Sequence, residues 1–120
     1  MDRDHLQYFR DLYDAFNRRD ADAVLARTTG DVDWPNAWKG GRLTGHDAVR
    51  AYWSEQWAEI GPRVEPLSAE PRADGRVAVT VRQTIRSRDG ALLGDQEVIH
   101  LYTLRGVLIA RMDVETAAAQ

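Results

Sequence analysis

The sequence VAVTVRQTI at residues 77–85 alternates between apolar and polar side chains. Successive side chains of a β-strand point to opposite faces, so every second residue of this stretch lies on the same face. The pattern predicts a half-buried strand of an antiparallel sheet. The residues on its inner face are Val77, Val79, Val81, Gln83 and Ile85.

Aspartate–glycine pairs at residues 74–75 and 89–90 bound this strand. Such pairs favour tight hairpin turns, so the strand has an antiparallel neighbour on each side. Residues 97–104 and 107–115 predict a further hairpin, whereas residues 64–70 predict an irregular edge strand because of the prolines in and beside them. The second half of the chain is therefore predicted to be a meander of strands.

The first half of the chain carries helical periodicity instead. One apolar stripe at three-to-four spacing predicts a first helix; it consists of Leu6, Phe9, Leu12, Tyr13 and Phe16. Asp20 is a favourable N-cap for a short second helix through Leu25. Thr44 resembles the N-cap of a third helix, which the Gly-Pro pair at residues 61–62 ends.

This order of elements predicts an α+β fold. Three helices, the third preceded by a short strand at residues 31–36, come before the meander, so the helices pack on one face of a curved antiparallel sheet. A curved sheet with helices across it encloses a cone with one open end. At 120 residues, the chain is expected to form one domain over residues 1–120.

Composition narrows the classes of function. The chain has no Cys, and its net charge of -3 comes from interspersed charges without a basic block, so neither thiol chemistry nor a nucleic-acid partner is expected. No apolar run is long enough for a membrane span or a signal segment, which favours a cytoplasmic protein without a membrane partner. His5, His46 and His100 lack metal-ligand spacing, so we expect neither a metal nor another cofactor.

All four tryptophans lie between residues 34 and 57, as two pairs at i, i+4 spacing. Such a cluster in a small domain indicates either its core or the lining of a cavity. We predict that Trp34 forms the cavity wall and Trp38 the mouth. Trp53 is predicted to face inward and Trp57 to pack behind it.

Four segments, in order, resemble the SnoaL-like branch of the nuclear transport factor 2-like superfamily. They are YDAFNRRD (13–20), DVDW (31–34), GHDAVRAYW (45–53) and LRGVLIARMD (104–113). The resemblance covers nearly the whole chain and implies the cone-shaped fold. It does not specify a reaction, because this fold hosts isomerases, cyclases, dehydratases, epoxide hydrolases and non-catalytic modules.

The resemblance also implies candidate site residues. Asn36, Leu12 and Ile99 occupy the positions of the base, the tyrosine and the protonated aspartate of ketosteroid isomerase, which disfavours that chemistry. SnoaL-type cyclases use an aspartate on the last strand and a histidine on the preceding one, which here are Asp113 and His100. These two are the predicted catalytic residues.

Both catalytic candidates have a second interpretation. Strand alternation places Met112 on the inner face and turns Asp113 outward beside Arg111, where it would form a surface ion pair unless a β-bulge reverses the order. His100 lies either in the cavity or in a dimer interface, because residues 98–104 are apolar on both faces.

The sequence therefore predicts a pocket for a small apolar or aromatic molecule, with cofactor-free acid/base chemistry of the cyclase or isomerase type. The alternative is a non-catalytic binding or dimerisation module of the same fold. Epoxide hydrolysis would need a second inward carboxylate, which the sequence does not supply. We also expect a homodimer through the outer face of the sheet. The predicted lining residues are Tyr13, Trp34, Asn36, Tyr52, Trp53, Ile99 and Met112.

Overall fold

The structure is a computed structural model that describes residues 2–36 and 40–116. The helices are α1 (Asp2–Asn17), α2 (Ala21–Leu25) and α3 (His46–Glu59). The strands are β1 (Thr28–Pro35), β2 (Arg42–Thr44), β3 (Ile60–Pro71), β4 (Val77–Ser87), β5 (Leu92–Arg105) and β6 (Leu108–Thr116).

The strands form one sheet in the order β2-β1-β6-β5-β4-β3. All neighbours run antiparallel except β1 and β6, which are parallel. This curved sheet with helices across it is the predicted α+β cone. The predicted edge position of residues 64–70 is confirmed, since β3 ends the sheet.

The register places one set of side chains inside the cone. Val79 lies opposite His100, and Tyr102 lies opposite Met112, so these residues share the inner face. Phe9 of α1 packs on Tyr102 with ring centroids 4.6 Å apart. This contact sets the helix against the middle of the sheet.

A β-bulge between β5 and β6 changes the predicted alternation of the last strand. Leu104 pairs with Ile109, but Thr103 pairs with Arg111, which leaves Ala110 without a partner. Ile109 is therefore buried before the bulge and Met112 is buried after it. A strict two-residue period predicts Ile109 on the outer face together with Arg111 and Asp113, which is wrong because the bulge lets Ile109 join the core.

Two further elements differ from the prediction. Residues 42–44 form strand β2, and Gly45 rather than Thr44 is the N-cap of α3. Gly45 has φ 92°, a conformation that favours glycine, and its N–H donates to the carbonyl of Val32. A three-residue strand is too short to show a period, which explains why the sequence pattern did not indicate it.

The end of α1 is tied to the edge strand β3. The Asn17 side chain donates to the Val64 carbonyl at 2.8 Å and accepts from the Val64 N–H at 2.9 Å. These are backbone groups on the side of β3 that no other strand pairs. The Asn17 amide therefore satisfies two backbone groups of the edge strand and fixes the distance between α1 and the sheet.

We expect Asn17→Ala to lower the free energy of unfolding by about 1–3 kcal/mol, because it leaves both Val64 backbone groups without their partner. Urea unfolding at neutral pH measures this change. Arg18→Ala, at an exposed neighbouring position, is the matched control and should change it by less than about 0.5 kcal/mol. Equal effects of the two substitutions would contradict a stabilising role of the Asn17–Val64 hydrogen bonds.

Candidate functional site

The cone contains a cavity of about 210 Å³ that opens at one end. It lies between α1, α3 and the inner face of the sheet. Its volume is below the usual range for drug-sized ligands, so it suits a small molecule. The lining residues are Leu12, Tyr13, Phe16, Val24, Trp34, Pro35, Tyr52, Trp53, Gln56, Pro62, Val64, Gln83, Gln96, Val98, His100, Tyr102, Met112 and Val114.

Aromatic rings form one wall of the cavity. Trp34 and Trp53 meet edge to face, with centroids 5.5 Å apart and an interplanar angle of 89°. Trp57 stacks on Trp53 from outside the lining, at 5.9 Å, and Arg19 lies 5.5 Å from its ring centroid. Trp57 thus holds Trp53 in place, as predicted, and flat apolar surface faces the cavity.

Three polar side chains meet deep inside this apolar environment. The Tyr13 hydroxyl lies 2.7 Å from His100 Nδ1 and 2.5 Å from the Tyr102 hydroxyl. All three residues are buried, and Tyr102 has no exposed surface. We call this set the Tyr13–His100–Tyr102 cluster.

Burial keeps every member of the cluster uncharged at neutral pH. It lowers the pKa of His100 to about 4, because the imidazolium would lose its solvation. Burial also raises the pKa of Tyr13 and of Tyr102 above the usual tyrosine range. The cluster therefore consists of two phenols and a neutral imidazole.

The two hydroxyl protons and the imidazole proton of the cluster can be placed from the acceptors that are available to each donor. Tyr102 has no hydrogen-bond partner other than Tyr13 among the described residues, so its buried hydroxyl donates to the Tyr13 oxygen. Tyr13 then donates to His100 Nδ1. The remaining imidazole proton is on Nε2, which has no hydrogen bond to another described residue. His100 thus presents an N–H donor to the cavity.

The described lining contains no Asp, Glu, Lys or Arg. A charged ligand group would lose its hydration without gaining an opposite charge, so the cavity favours neutral ligands. The amide side chains of the lining are three glutamines at the open end: Gln56, Gln83 and Gln96.

Asp113 is not part of the cavity, which corrects its predicted catalytic placement. It lies opposite Leu101 on the outer face, because His100 and Val114 occupy the inner one. There it accepts from Arg111 and pairs with Arg42 at 3.1 Å. The Arg111 hydrogen bond, together with the charges of Arg111 and Arg42, lowers the pKa of Asp113. The surface ion pair is the interpretation that the structure supports.

Two other predicted lining residues also lie elsewhere. Ile99 faces outward because it alternates with His100, and it pairs with Thr80 and Glu115. Asn36 follows the end of β1, where its N–H donates to the Gly41 carbonyl, and it is not among the lining residues. Trp38 lies outside the described residues.

The remaining predicted residues come together in the cavity: Tyr13, Trp34, Tyr52, Trp53, His100 and Met112. Tyr102 and the three glutamines were missed. A signal for Tyr102 was present, because it is two residues from His100 and must share its face. Two polar side chains next to each other on a buried strand face indicate a hydrogen-bonded pair or a site.

No group of three or more His, Asp or Glu side chains that could hold a metal ion occurs within residues 2–36 and 40–116. None of the described helices is long and apolar enough to cross a membrane.

The family model of the SnoaL-like domain matches residues 9–112. This range covers most of the chain and includes every described lining residue except Val114. No curated protein sequence matches the chain.

Solved structures share the fold at low sequence identity. An NTF2-like protein of unknown function from Burkholderia pseudomallei has a TM-score of 0.78 and 24% identity, over 92% of this chain and 88% of that one. TerC, co-crystallised with polyporic acid, has a TM-score of 0.77 and 23% identity, over 92% and 88%. A putative polyketide cyclase from Sinorhizobium meliloti has a TM-score of 0.72 and 20% identity, over 86% and 88%.

The buried imidazole predicts a specific loss of stability in acid. Above pH 6.5, His100 is neutral in both the folded and unfolded states, so it does not affect the pH dependence of unfolding. Between pH 6.5 and about 4, the unfolded chain binds a proton that the folded chain excludes. The free energy of unfolding should fall by about 3 kcal/mol over this interval from His100 alone.

Urea unfolding of the wild type and of His100→Asn at pH values from about 4 to 7 measures this loss. Carboxylates contribute to both profiles, so the difference between the two isolates the histidine. The variant should show the shallower decline, whereas parallel profiles would contradict a buried neutral His100.

Proposed function

We propose that this chain, which belongs to the SnoaL-like domain family, binds a small neutral aromatic molecule and polarises a carbonyl of that molecule through His100. The observation that carries the proposal is the Tyr13–His100–Tyr102 cluster inside a cavity with mainly apolar walls. The cluster fixes the imidazole tautomer and directs its Nε2–H at the ligand.

The aromatic wall and the uncharged lining support this class of ligand. Trp34 and Trp53 offer ring surfaces at right angles, so a flat molecule can lie on one face and meet the edge of the other. The structural neighbour TerC was crystallised with polyporic acid, and another neighbour is described as a putative polyketide cyclase. Both descriptions agree with the binding of a small organic molecule by this fold.

The chemistry that the cluster supports is enolisation or an intramolecular cyclisation that begins with it. Removal of a proton next to a carbonyl places negative charge on the oxygen, and a hydrogen bond aimed at that oxygen stabilises the charge. A neutral imidazole is suited to this role because it donates without carrying a charge of its own. No carboxylate stands among the described lining residues, so the acceptor of the carbon-bound proton is a water molecule admitted beside the ligand.

Intramolecular closure needs no further reactant. The attacking carbon loses one proton and the carbonyl oxygen of the group that it attacks gains one, so the product is an isomer of the ligand. His100 is the hydrogen-bond donor to the carbonyl oxygen in this proposal, whereas the family resemblance implied Asp113 as the acid/base with His100 assisting it. Tyr13 and Tyr102 are positioning residues, because they act through the imidazole.

A second candidate is a non-catalytic binding module of the same fold. The lack of a carboxylate base in the described lining favours it, whereas the oriented Nε2–H favours catalysis. The two candidates share the ligand and differ in whether bound ligand exchanges its α-protons.

The test uses 1-tetralone and tetralin, which have the same ring system with and without a carbonyl. Tryptophan fluorescence quenching should show that the wild type prefers 1-tetralone, and that His100→Phe reduces this preference about three- to tenfold by removing one neutral hydrogen bond. Arg82→Met, on the outer face of β4 opposite Glu97, should keep it. Absence of quenching by either ligand would overturn the proposed binding.

Exchange of the 1-tetralone α-protons in D₂O, followed by proton NMR, separates the two candidates. A catalytic protein should accelerate exchange over buffer, and His100→Phe should lose the acceleration while the Arg82→Met control retains it. Binding without acceleration would leave the non-catalytic module as the function.

We also propose a homodimer through the outer face of the sheet. Ile99 is a partly exposed apolar side chain of β5 on this face, next to the charged side chains of β6, whereas Leu101 is buried within the protomer. Light scattering at micromolar concentration should give twice the monomer mass of 13.6 kDa. Ile99→Glu should shift the mass to that of the monomer, because it would place a second carboxylate directly opposite Glu115 in the apolar contact. A monomeric wild type would contradict the dimer.

A further inference from the structure

Glutamine amides stand at the open end of the cavity, on the opposite side of its apolar section from His100. Gln83 of β4 and Gln96 of β5 are cross-strand partners on the inner face of the sheet. Gln56 reaches the same end from α3. The cavity thus has polar groups at both ends and apolar walls between them.

The two sheet amides have hydrogen-bonding capacity that no described residue uses. Among the described residues, no hydrogen bond involves the side chain of Gln83 or Gln96. Gln56, in contrast, donates to the Tyr52 hydroxyl at 3.4 Å. An amide both donates and accepts, so the pair can bind a hydroxyl, a carbonyl or another amide.

The position of this pair interrupts an apolar series. Val77, Val79 and Val81 fill the preceding inner positions of β4, and Gln83 replaces the apolar residue that the alternation calls for. Val98 covers the corresponding step of β5 between His100 and Gln96. The polar side chains are therefore confined to the two ends of the same strand segment.

The spacing of the two ends sets the length of a ligand that reaches both. Gln96 lies two inner-face positions beyond His100 along β5, which corresponds to about 13 Å between their Cα atoms. Both side chains lean into the cone and shorten the gap, so a ligand of two fused rings with polar groups at opposite ends spans it. A cavity of about 210 Å³ agrees with a molecule of this size.

We propose that Gln83 and Gln96 form a second recognition site, which binds an uncharged polar group at the end of the ligand opposite its carbonyl. This inference rests on the proposed function, since the carbonyl at His100 defines the orientation of the ligand. The substrate class is then a neutral, flat, two-ended molecule, such as a fused-ring ketone with a distal hydroxyl. The two amides carry no charge, so they offer a hydroxyl or a carbonyl both a donor and an acceptor but offer a charged group no counter-ion.

The test compares 6-hydroxy-1-tetralone with 6-methyl-1-tetralone, which differ only in the polarity of a group of similar size. The ratio of their dissociation constants is measured by fluorescence quenching for the wild type and for the double variant Gln83→Met/Gln96→Met. Methionine keeps the length of the side chain and removes its amide donor and acceptor. The two ligands differ in hydration free energy, but this difference is the same for both proteins. Comparison of the ratio between the proteins therefore removes it.

The ratio of the dissociation constant of 6-methyl-1-tetralone to that of 6-hydroxy-1-tetralone should be about tenfold higher for the wild type than for the double variant, as expected for two neutral hydrogen bonds. Both proteins should bind unsubstituted 1-tetralone with the same affinity within about twofold, which also shows that the variant is folded. The matched control is Arg82→Met, on the outer face of β4 opposite Glu97, which should leave the ratio unchanged.

Two outcomes would overturn the proposal, and they differ in what else they affect. If 1-tetralone binds and the ratio is the same in both proteins, the amides are only hydrated groups at the rim, and the carbonyl site at His100 is unaffected. If 1-tetralone does not bind to the wild type, the proposed function fails and the distal site fails with it.

Discussion

The hydrogen bonds of the Tyr13 hydroxyl join helix α1 to strand β5 inside an apolar interior. A buried hydroxyl or imidazole without a partner costs about 1–3 kcal/mol, so Tyr13, His100 and Tyr102 stabilise the fold only as a set. This requirement, together with the Asn17 amide one helical turn later, sets the position of the C-terminal half of α1 over the sheet. Leu12, Tyr13 and Phe16 of this segment line the cavity.

Charge is separated from this interior by the sheet itself. Asp33, Arg42, Arg111 and Asp113 form a continuous network of ion pairs on the outer face of β1, β2 and β6. Exposed pairs of this kind contribute little stability individually. Their geometric effect is larger, because Arg42 also donates to the Met112 carbonyl at 2.6 Å and so attaches the short strand β2 to β6. The aspartate that resembles a cyclase residue has this structural role.

The sequence predicted those parts of the structure that show a regular spacing of apolar residues. Alternation in residues 77–85 placed the inner face of β4 correctly, and helical spacing placed Tyr13 and Trp53 on the cavity side. Asp113 was predicted outward by the same rule and lies there. Features that depend on one added residue or on a three-residue element were not predictable, as the bulge at Ala110 and strand β2 show. The spacing of Tyr102 from His100 places it on the same inner face, but its hydrogen bond to Tyr13 depends on how α1 packs on the sheet, which no period expresses.

The parallel pairing of β1 with β6 joins the two strands of the sheet that are farthest apart in the sequence among its paired neighbours. Residues 28–33 pair with residues 109–111, whereas every other strand pair joins segments that are close in sequence. Loop closure over this separation costs entropy before any contact of the pair compensates for it. The meander β3–β6 can therefore form first and present an open cone, while docking of β1 completes the wall that carries Trp34. From this topology we expect the last closure to limit the folding rate and the cavity to acquire its shape last.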